Sequence, residues 1–147
     1  RRDFIGWHQD QSWWKVRPAG GLVNCWVAFD ASTPETACVR YALGSHRAGS
    51  VLDHAAQVPG NQLYWSIDLP ADDERSAVCA ELQPGEFTVF SGLVVHSSPP
   101  NSGPKRRCGV VFRYTEWPAA LDSYELNGEP YYPHPRRLRV PAGRDDL

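Results

Sequence analysis

The sequence predicts an all-β fold, a sandwich or barrel of short strands. Three observations carry that expectation. Thirteen prolines and twelve glycines punctuate a chain of 147 residues, which leaves little room for long helices. Between them lie short apolar runs rich in valine, phenylalanine, tyrosine and tryptophan, the residues that fit a pleated surface. Turn signals return every ten residues or so, as in antiparallel all-β domains.

The runs follow in order. RRDFIGWHQD (1–10) reads as a first strand. GLVNCWVAFDA (21–31) is a second, closed at Asp30. ACVRYAL (37–43) is a third, ended by the turn GSHRAG (44–49). NQLYWSIDL (61–69) alternates weakly. ADDERSA (71–77) is polar, a solvated loop or helical turn. Pro84-Gly85 marks a turn before EFTVF (86–90), and LVVH (93–96) follows it. SSPPNSGPK (97–105) is a loop by composition, and RRCGVVFRY (106–114) resumes a strand. Beyond Trp117 the chain is rich in proline and arginine without a regular period. The whole is expected to be one domain over 1–147, with a core over about 1–116 and an irregular tail over 117–147 that packs some tyrosines and frays at its end.

The totals exclude some functions. A net charge of -2 gives no general attraction to nucleic acid or an acidic membrane surface. No apolar run is long enough to cross a bilayer, and no signal peptide is visible. Cys25, Cys38, Cys79 and Cys108 form no C-x-x-C pair. They are expected as reduced thiols in a cytoplasmic protein rather than zinc ligands. The chain has no methionine, so a processed or truncated piece is expected.

The stretch GWHQDQSWWK (6–15) holds His8 and Asp10 two residues apart among three tryptophans. On a strand, residues i and i+2 share a face, with Cα atoms roughly 6.5–7 Å apart. Two such side chains chelate one metal ion if a third ligand arrives from elsewhere, and His96 is the candidate. Two imidazoles and a carboxylate on one face of an octahedron are the facial triad of non-haem Fe(II) oxygenases. A zinc hydrolase can use the same donor set. An arginine after His96 would return to the same cavity and grip a carboxylate with its planar fork. Periodicity leaves two phases open. Arg107, Gly109 and Val111 share one face, and the glycine there leaves room for a ligand. Arg106, Cys108, Val110 and Phe112 share the other.

The ordered segments WHQD, NCWVAFD, ALGSHRAG and LQPGEFTVFSGLVVHSSPPNSGPKRR resemble the phytanoyl-CoA dioxygenase family. The resemblance covers roughly residues 4 to 115. Members are Fe(II)/2-oxoglutarate-dependent hydroxylases built on a double-stranded β-helix, a jelly-roll or cupin-like barrel. It implies that His8, Asp10 and His96 are both the metal ligands and the catalytic centre. Arg107, eleven residues after His96, matches the arginine that holds the 2-oxoglutarate carboxylate, with Ser98 beside it and Trp26 against the co-substrate. Trp14 falls where members contact substrate, and Gln9 is assigned with it. His46 is expected to be structural, and His54 and His134 to have no role. Leu43 stands where the turn usually has proline. Only seven residues precede His8, so the family's N-terminal helical part is expected to be missing from this chain. Related halogenases carry a small residue at the Asp10 position, so a carboxylate there favours hydroxylation.

The expected function is therefore hydroxylation of a small organic molecule, acyl-CoA-like or a natural-product intermediate. Fe(II), 2-oxoglutarate and O2 are consumed, with release of succinate and CO2. Lys15, Arg17, Arg40 and Arg47 could attract an anionic substrate. Trp7, Trp13 and Trp14 could wall off water. The alternatives are a non-catalytic cupin-like binding module and the zinc hydrolase. No nucleic-acid or membrane partner is expected, and the oligomeric state is not given by the sequence.

Overall fold

The computed structural model describes residues 3–14 and 16–115, with the backbone of 120–121, 124–126 and 129–131. Its elements are β1 (Ile5–His8), α1 (Gln11–Trp14), β2 (Val16–Arg17), β3 (Leu22–Ala28), β4 (Arg40–Tyr41), α2 (Ala71–Arg75), β5 (Val78–Cys79), β6 (Phe87–Ser91), β7 (His96–Ser98), β8 (Gly109–Thr115), β9 (Ala120–Leu121), β10 (Tyr124–Leu126) and β11 (Glu129–Tyr131). A single 3-10 turn at Ser45–Ala48 follows β4.

Two antiparallel sheets face each other. One has the order β1-β7-β4-β5 and the other β6-β3-β8. Strands from β3 to β8 alternate between the sheets rather than pairing with their sequence neighbours, apart from β4 with β5. That wrapping is the jelly-roll, or double-stranded β-helix. The all-β expectation therefore holds.

β3 is the central strand of its sheet, and its sequence explains why. Leu22, Asn24, Trp26 and Ala28 are buried, while Val23, Cys25 and Val27 point the other way. The period of two sets one face toward the opposite sheet. There Trp26, Ala28, Val39 and Tyr41 form the inter-sheet core, with Phe90, Val94 and Val111 packed on it. A second cluster of Trp7, Ala42, Ile67 and Val95 lies behind the other sheet. Among the described residues β8 is an edge strand. The outer face of its sheet exposes Val23, Phe87, Val89, Phe112 and Tyr114.

The strand boundaries differ from the sequence reading in instructive ways. β1 ends at His8, because Asp10 already starts a helical turn: its carbonyl accepts the N–H groups of Trp13 and Trp14. LVVH is not the strand. β7 begins at His96 and runs into the serines read as loop, since their polar side chains hid the strand's pairing. NQLYWSIDL forms no strand of its own beyond two isolated bridges, Asn61 with Phe4 and Ser66 with Ala56. ADDERSA is the exposed helix α2. The expected irregular tail contains the short pair β10-β11 and the strand β9, which pairs with β2. The rest of that tail, with His134, lies outside the described residues, as does Lys15. All four cysteines are free, and no described helix is long and apolar enough to cross a membrane.

Candidate active site

Cross-strand pairing brings the two histidines together. β1 and β7 are antiparallel with His8 opposite His96, and their ring centroids are 4.0 Å apart. Each ring is locked by its Nδ1–H. His8 donates to the Gly6 carbonyl at 2.8 Å and His96 to the Val94 carbonyl at 2.9 Å. A carbonyl can only accept, so the proton sits on Nδ1 and the Nε2 lone pair of each ring is free to bind an electrophile. Asp10 closes the group. Its Oδ1 lies 3.6 Å from His8 Nε2 and its Oδ2 4.0 Å from His96 Nε2. All three side chains are buried, and one donor atom of each lies within 4.8 Å of the others.

The electrostatics suit a cation. Burial alone would raise the Asp10 carboxyl. The neighbouring His8, His96 and Arg113 outweigh it and hold the group well below the usual carboxylate range. Burial, and then the neighbouring His8, push His96 down to about 4, against the pull of Asp10. The site thus presents one anion and a neutral His96 imidazole, which is the ligand form that a divalent ion needs.

The two phases of the RRCGVV run separate cleanly. Arg106 turns outward and forks onto Asp30, with contacts of 2.9 and 3.2 Å. Arg107 turns inward, and its Nη2 donates to Ser98 Oγ at 2.8 Å. That hydroxyl in turn donates to the Ala37 carbonyl at 2.8 Å. The Arg107 guanidinium lies 5.5 Å from the Trp26 ring centroid. Burial pulls its pKa below the ordinary value, with Cys38 and Tyr41 opposing. The space above Gly109 is taken by Trp26. A Cβ there would meet Trp26 Cζ2 at 2.4 Å, so the glycine admits the indole.

Other expected residues sit elsewhere. Gln9 is fully buried, and its side chain is consumed by backbone. Its Nε2 donates to the carbonyls of Leu93 and Ser50, and its Oε1 accepts from Leu52 N–H. Buried and bonded in this way, Gln9 is not presented to a substrate as expected. Trp7 packs into the cluster behind the sheet, away from the site. Arg40 spans Trp7 and Glu74, Arg47 is exposed on the 3-10 turn, and Arg17 is exposed on β2. Trp14 lies near the site, beneath the Arg113 guanidinium. His46 is exposed, in a turn pinned by Ser45, whose hydroxyl accepts from Val95 N–H and donates to the Ala42 carbonyl. Gly44 there takes a φ of 83°, left-handed, which glycine tolerates.

Several residues that sequence reasoning passed over border the triad. His54 accepts the Gln9 backbone N–H, donates to the Leu52 carbonyl, and meets Trp13 edge-on; Trp13 in turn meets His8. His54 thus has a structural role. Tyr41 pairs with His96 across β4 and β7, and its hydroxyl bonds Thr88 at 2.7 Å. Burial raises its pKa to about 12. Arg113 reaches Asp10, and Asn24 lies opposite Arg113. Counting in twos from Arg107 and Trp26 would have found both.

Residues 2–109 match the model of the family described as phytanoyl-CoA dioxygenase. The chain is 29% identical over 120 residues to the phytanoyl-CoA dioxygenase domain-containing protein 1 homolog of Caenorhabditis briggsae, covering 75% of this chain and 42% of that protein. It is 30% identical over 116 residues to the methylphosphonate hydroxylase of Gimesia maris, covering 78% and 39%. EvdO2 of Micromonospora carbonacea var. aurantiaca, whose structure holds 2-oxoglutarate, superposes with a TM-score of 0.64 at 28% identity, over 80% of this chain and 47% of that one. The non-heme monooxygenase ThoJ shares the fold at a TM-score of 0.69 and 24% identity, over 91% and 51%. The chain spans less than half the length of the curated relatives it matches.

Proposed function

The chain belongs to the phytanoyl-CoA dioxygenase family, and from that premise we propose that it carries the catalytic barrel of an Fe(II)- and 2-oxoglutarate-dependent oxygenase. Its reaction is hydroxylation of a small organic substrate, an acyl-CoA-like or natural-product molecule, with release of succinate and CO2. The observation that carries this reading is the convergence of three buried donors, His8, Asp10 and His96, each with a free donor atom turned to one point. The donor set fits the metal: two imidazole nitrogens and one carboxylate suit Fe(II) and would leave positions for other ligands. EvdO2 supports the co-substrate, because its structure binds 2-oxoglutarate on a similar barrel.

In this reading His8 and His96 offer Nε2 and Asp10 a carboxylate oxygen. Iron with 2-oxoglutarate, when bound, supplies the oxidation by O2. The protein's own residues bind and orient. Arg107, steadied by Ser98 and backed by Trp26, takes the distal carboxylate of 2-oxoglutarate as a bidentate guanidinium does. Tyr41 and Phe90, ring centroids 4.9 Å apart, pack beside His96 and exclude water from that side. Trp14 lines the substrate side. Asp10 would fill the place that a halide takes in related halogenases, so hydroxylation is the favoured outcome. The proposal treats 1–147 as one oxygenase domain acting on a small molecule in the cytoplasm.

The test is anaerobic addition of Fe(II) and 2-oxoglutarate. A visible charge-transfer band, followed by succinate on admitting air, supports the reading. Metal binding with no band and no succinate refutes it, and leaves a binding module or a zinc enzyme.

A further inference from the structure

We propose that Arg113 and Asn24 form an oxyanion-binding subsite that holds the acidic group of the primary substrate. The substrate is then a small organic acid bearing a carboxylate, phosphonate or phosphate. The inference rests on the reading above and names the class of molecule that lies beside the metal site.

Asn24 and Arg113 are directly paired between β3 and β8. Both belong to the inward rows, Asn24 with Leu22 and Trp26, Arg113 with Gly109 and Val111. Arg113 Nη2 donates to Asp10 Oδ2 at 3.2 Å, and its guanidinium sits 5.1 Å over the Trp14 ring. That contact engages one nitrogen of a fork with five N–H donors. The side chain is 29% exposed, so part of the fork faces an approach from solvent.

Asn24 supplies an independent observation. It is 0% exposed, yet neither its amide oxygen nor its amide nitrogen has a hydrogen-bond partner. Buried amides in folded proteins are paired almost without exception. An unpaired one beside a guanidinium, facing the metal-binding sheet, is a donor and an acceptor held ready for a guest.

The co-substrate is not that guest. Arg107 shares the inward row but lies six residues earlier, roughly 20 Å along an extended strand. A diacid gripped at Arg107 and chelating a metal beside Asp10 would have both of its carboxylates engaged, which leaves the open part of the Arg113 fork to another acid. The barrel therefore brackets the metal triad with two guanidiniums. One is committed to Ser98 and Trp26, the other to Asp10 and Trp14. The second is free to select an acid over a neutral molecule.

The experiment titrates the protein with acetate, inorganic phosphate and uncharged acetamide, followed by tryptophan fluorescence and calorimetry. It is run on protein saturated with Zn(II) and 2-oxoglutarate and again on metal-free protein. The wild type is expected to bind one of the anions at least ~10-fold more tightly than acetamide, as a charge-assisted contact implies. Acetate ahead of phosphate identifies carboxylic acids as substrates, and the reverse order phosphonates or phosphates. Arg113→Gln should abolish the preference while metal binding stays equimolar. Arg113→Lys should keep part of it, and Asn24→Leu should weaken the anions alone. The proposal is overturned if the wild type shows no preference for anions. It is also overturned if Arg113→Gln binds them as the wild type does, with or without loss of the metal, since Arg113 would then serve only to orient Asp10. Metal binding is measured separately by dialysis. Failure of the oxygenase reading therefore appears there, while the metal-free titration still judges the subsite.

Discussion

Gly109→Ala inserts one methyl group where β8 crosses beneath Trp26. The new Cβ would stand 2.4 Å from Trp26 Cζ2, 2.8 Å from Trp26 Cε2 and 2.7 Å from the Val27 carbonyl oxygen. Two of these atoms belong to a rigid ring and the third to backbone, so nothing nearby can swing aside. Trp26 is itself wedged among Ala28, Val39 and Tyr41. Overpacking of this kind costs about 1–3 kcal/mol, and for a domain of this size the melting temperature should fall by roughly 3–10 °C. The displaced indole also carries the Arg107 guanidinium. Losing a cation–π contact worth about 0.5–2 kcal/mol should weaken 2-oxoglutarate binding roughly 2- to 30-fold. Thermal unfolding and a 2-oxoglutarate titration of the metal-loaded protein measure the two effects. The double variant with Trp26→Leu should recover stability relative to the sum of the single changes, because both act on one contact. A Gly109→Ala protein with wild-type melting and wild-type 2-oxoglutarate affinity would refute the packing argument and the link from Trp26 to Arg107.

Other outcomes follow from the same geometry. Asp10→Ala removes the only anionic donor of the triad, and metal affinity should fall ~100-fold or more with loss of hydroxylation, read by dialysis and succinate assay. Arg107→Ala should raise the 2-oxoglutarate requirement strongly, whereas Arg106→Ala breaks an exposed pair with Asp30 and should leave both stability and that requirement little changed. His96 binds its proton at about 4 in the folded apoprotein against 6.5 when unfolded. Its contribution to stability is complete above pH 6.5 and is lost as pH falls toward 4, so urea unfolding at pH 5 should show a loss of about 2 kcal/mol relative to pH 7.5. That loss should shrink in His96→Gln. The Cys38 thiol is 1% exposed, and burial together with Cys79 pushes it up to about 12. Burial and the scarcity of thiolate together mean that Cys38 should resist alkylation at pH 8 until the protein unfolds, while Cys25, Cys79 and Cys108 react first.

The strands most legible in the sequence were those with a period of two and a turn at each end. GLVNCWVAFDA shows its buried row directly, and RRCGVVFRY is its partner. β7 was misplaced because pairing with β1 and β4 is made by backbone, whatever the side chains of Ser97 and Ser98 suggest. His8 and His96 share a site because they are register partners, a long-range fact that no local pattern carries. The strand argument for His8 and Asp10 reached the right neighbours by a different path, since Asp10 stands in the turn that opens α1. The structural role of Gln9 is not legible locally, because its partners are backbone groups distant in sequence. Arg113 and Asn24 were within reach of parity counting once Arg107 and Trp26 had fixed the inward rows.

The central claim is that His8, Asp10 and His96 bind one divalent ion together. Equilibrium dialysis of Fe(II) under argon, on the wild type and on His8→Ala, Asp10→Ala, His96→Ala and His46→Ala, tests it most directly. The expected result is equimolar binding in the wild type and His46→Ala, lost in each of the other three. Tight equimolar binding that survives all three substitutions in folded protein would contradict it.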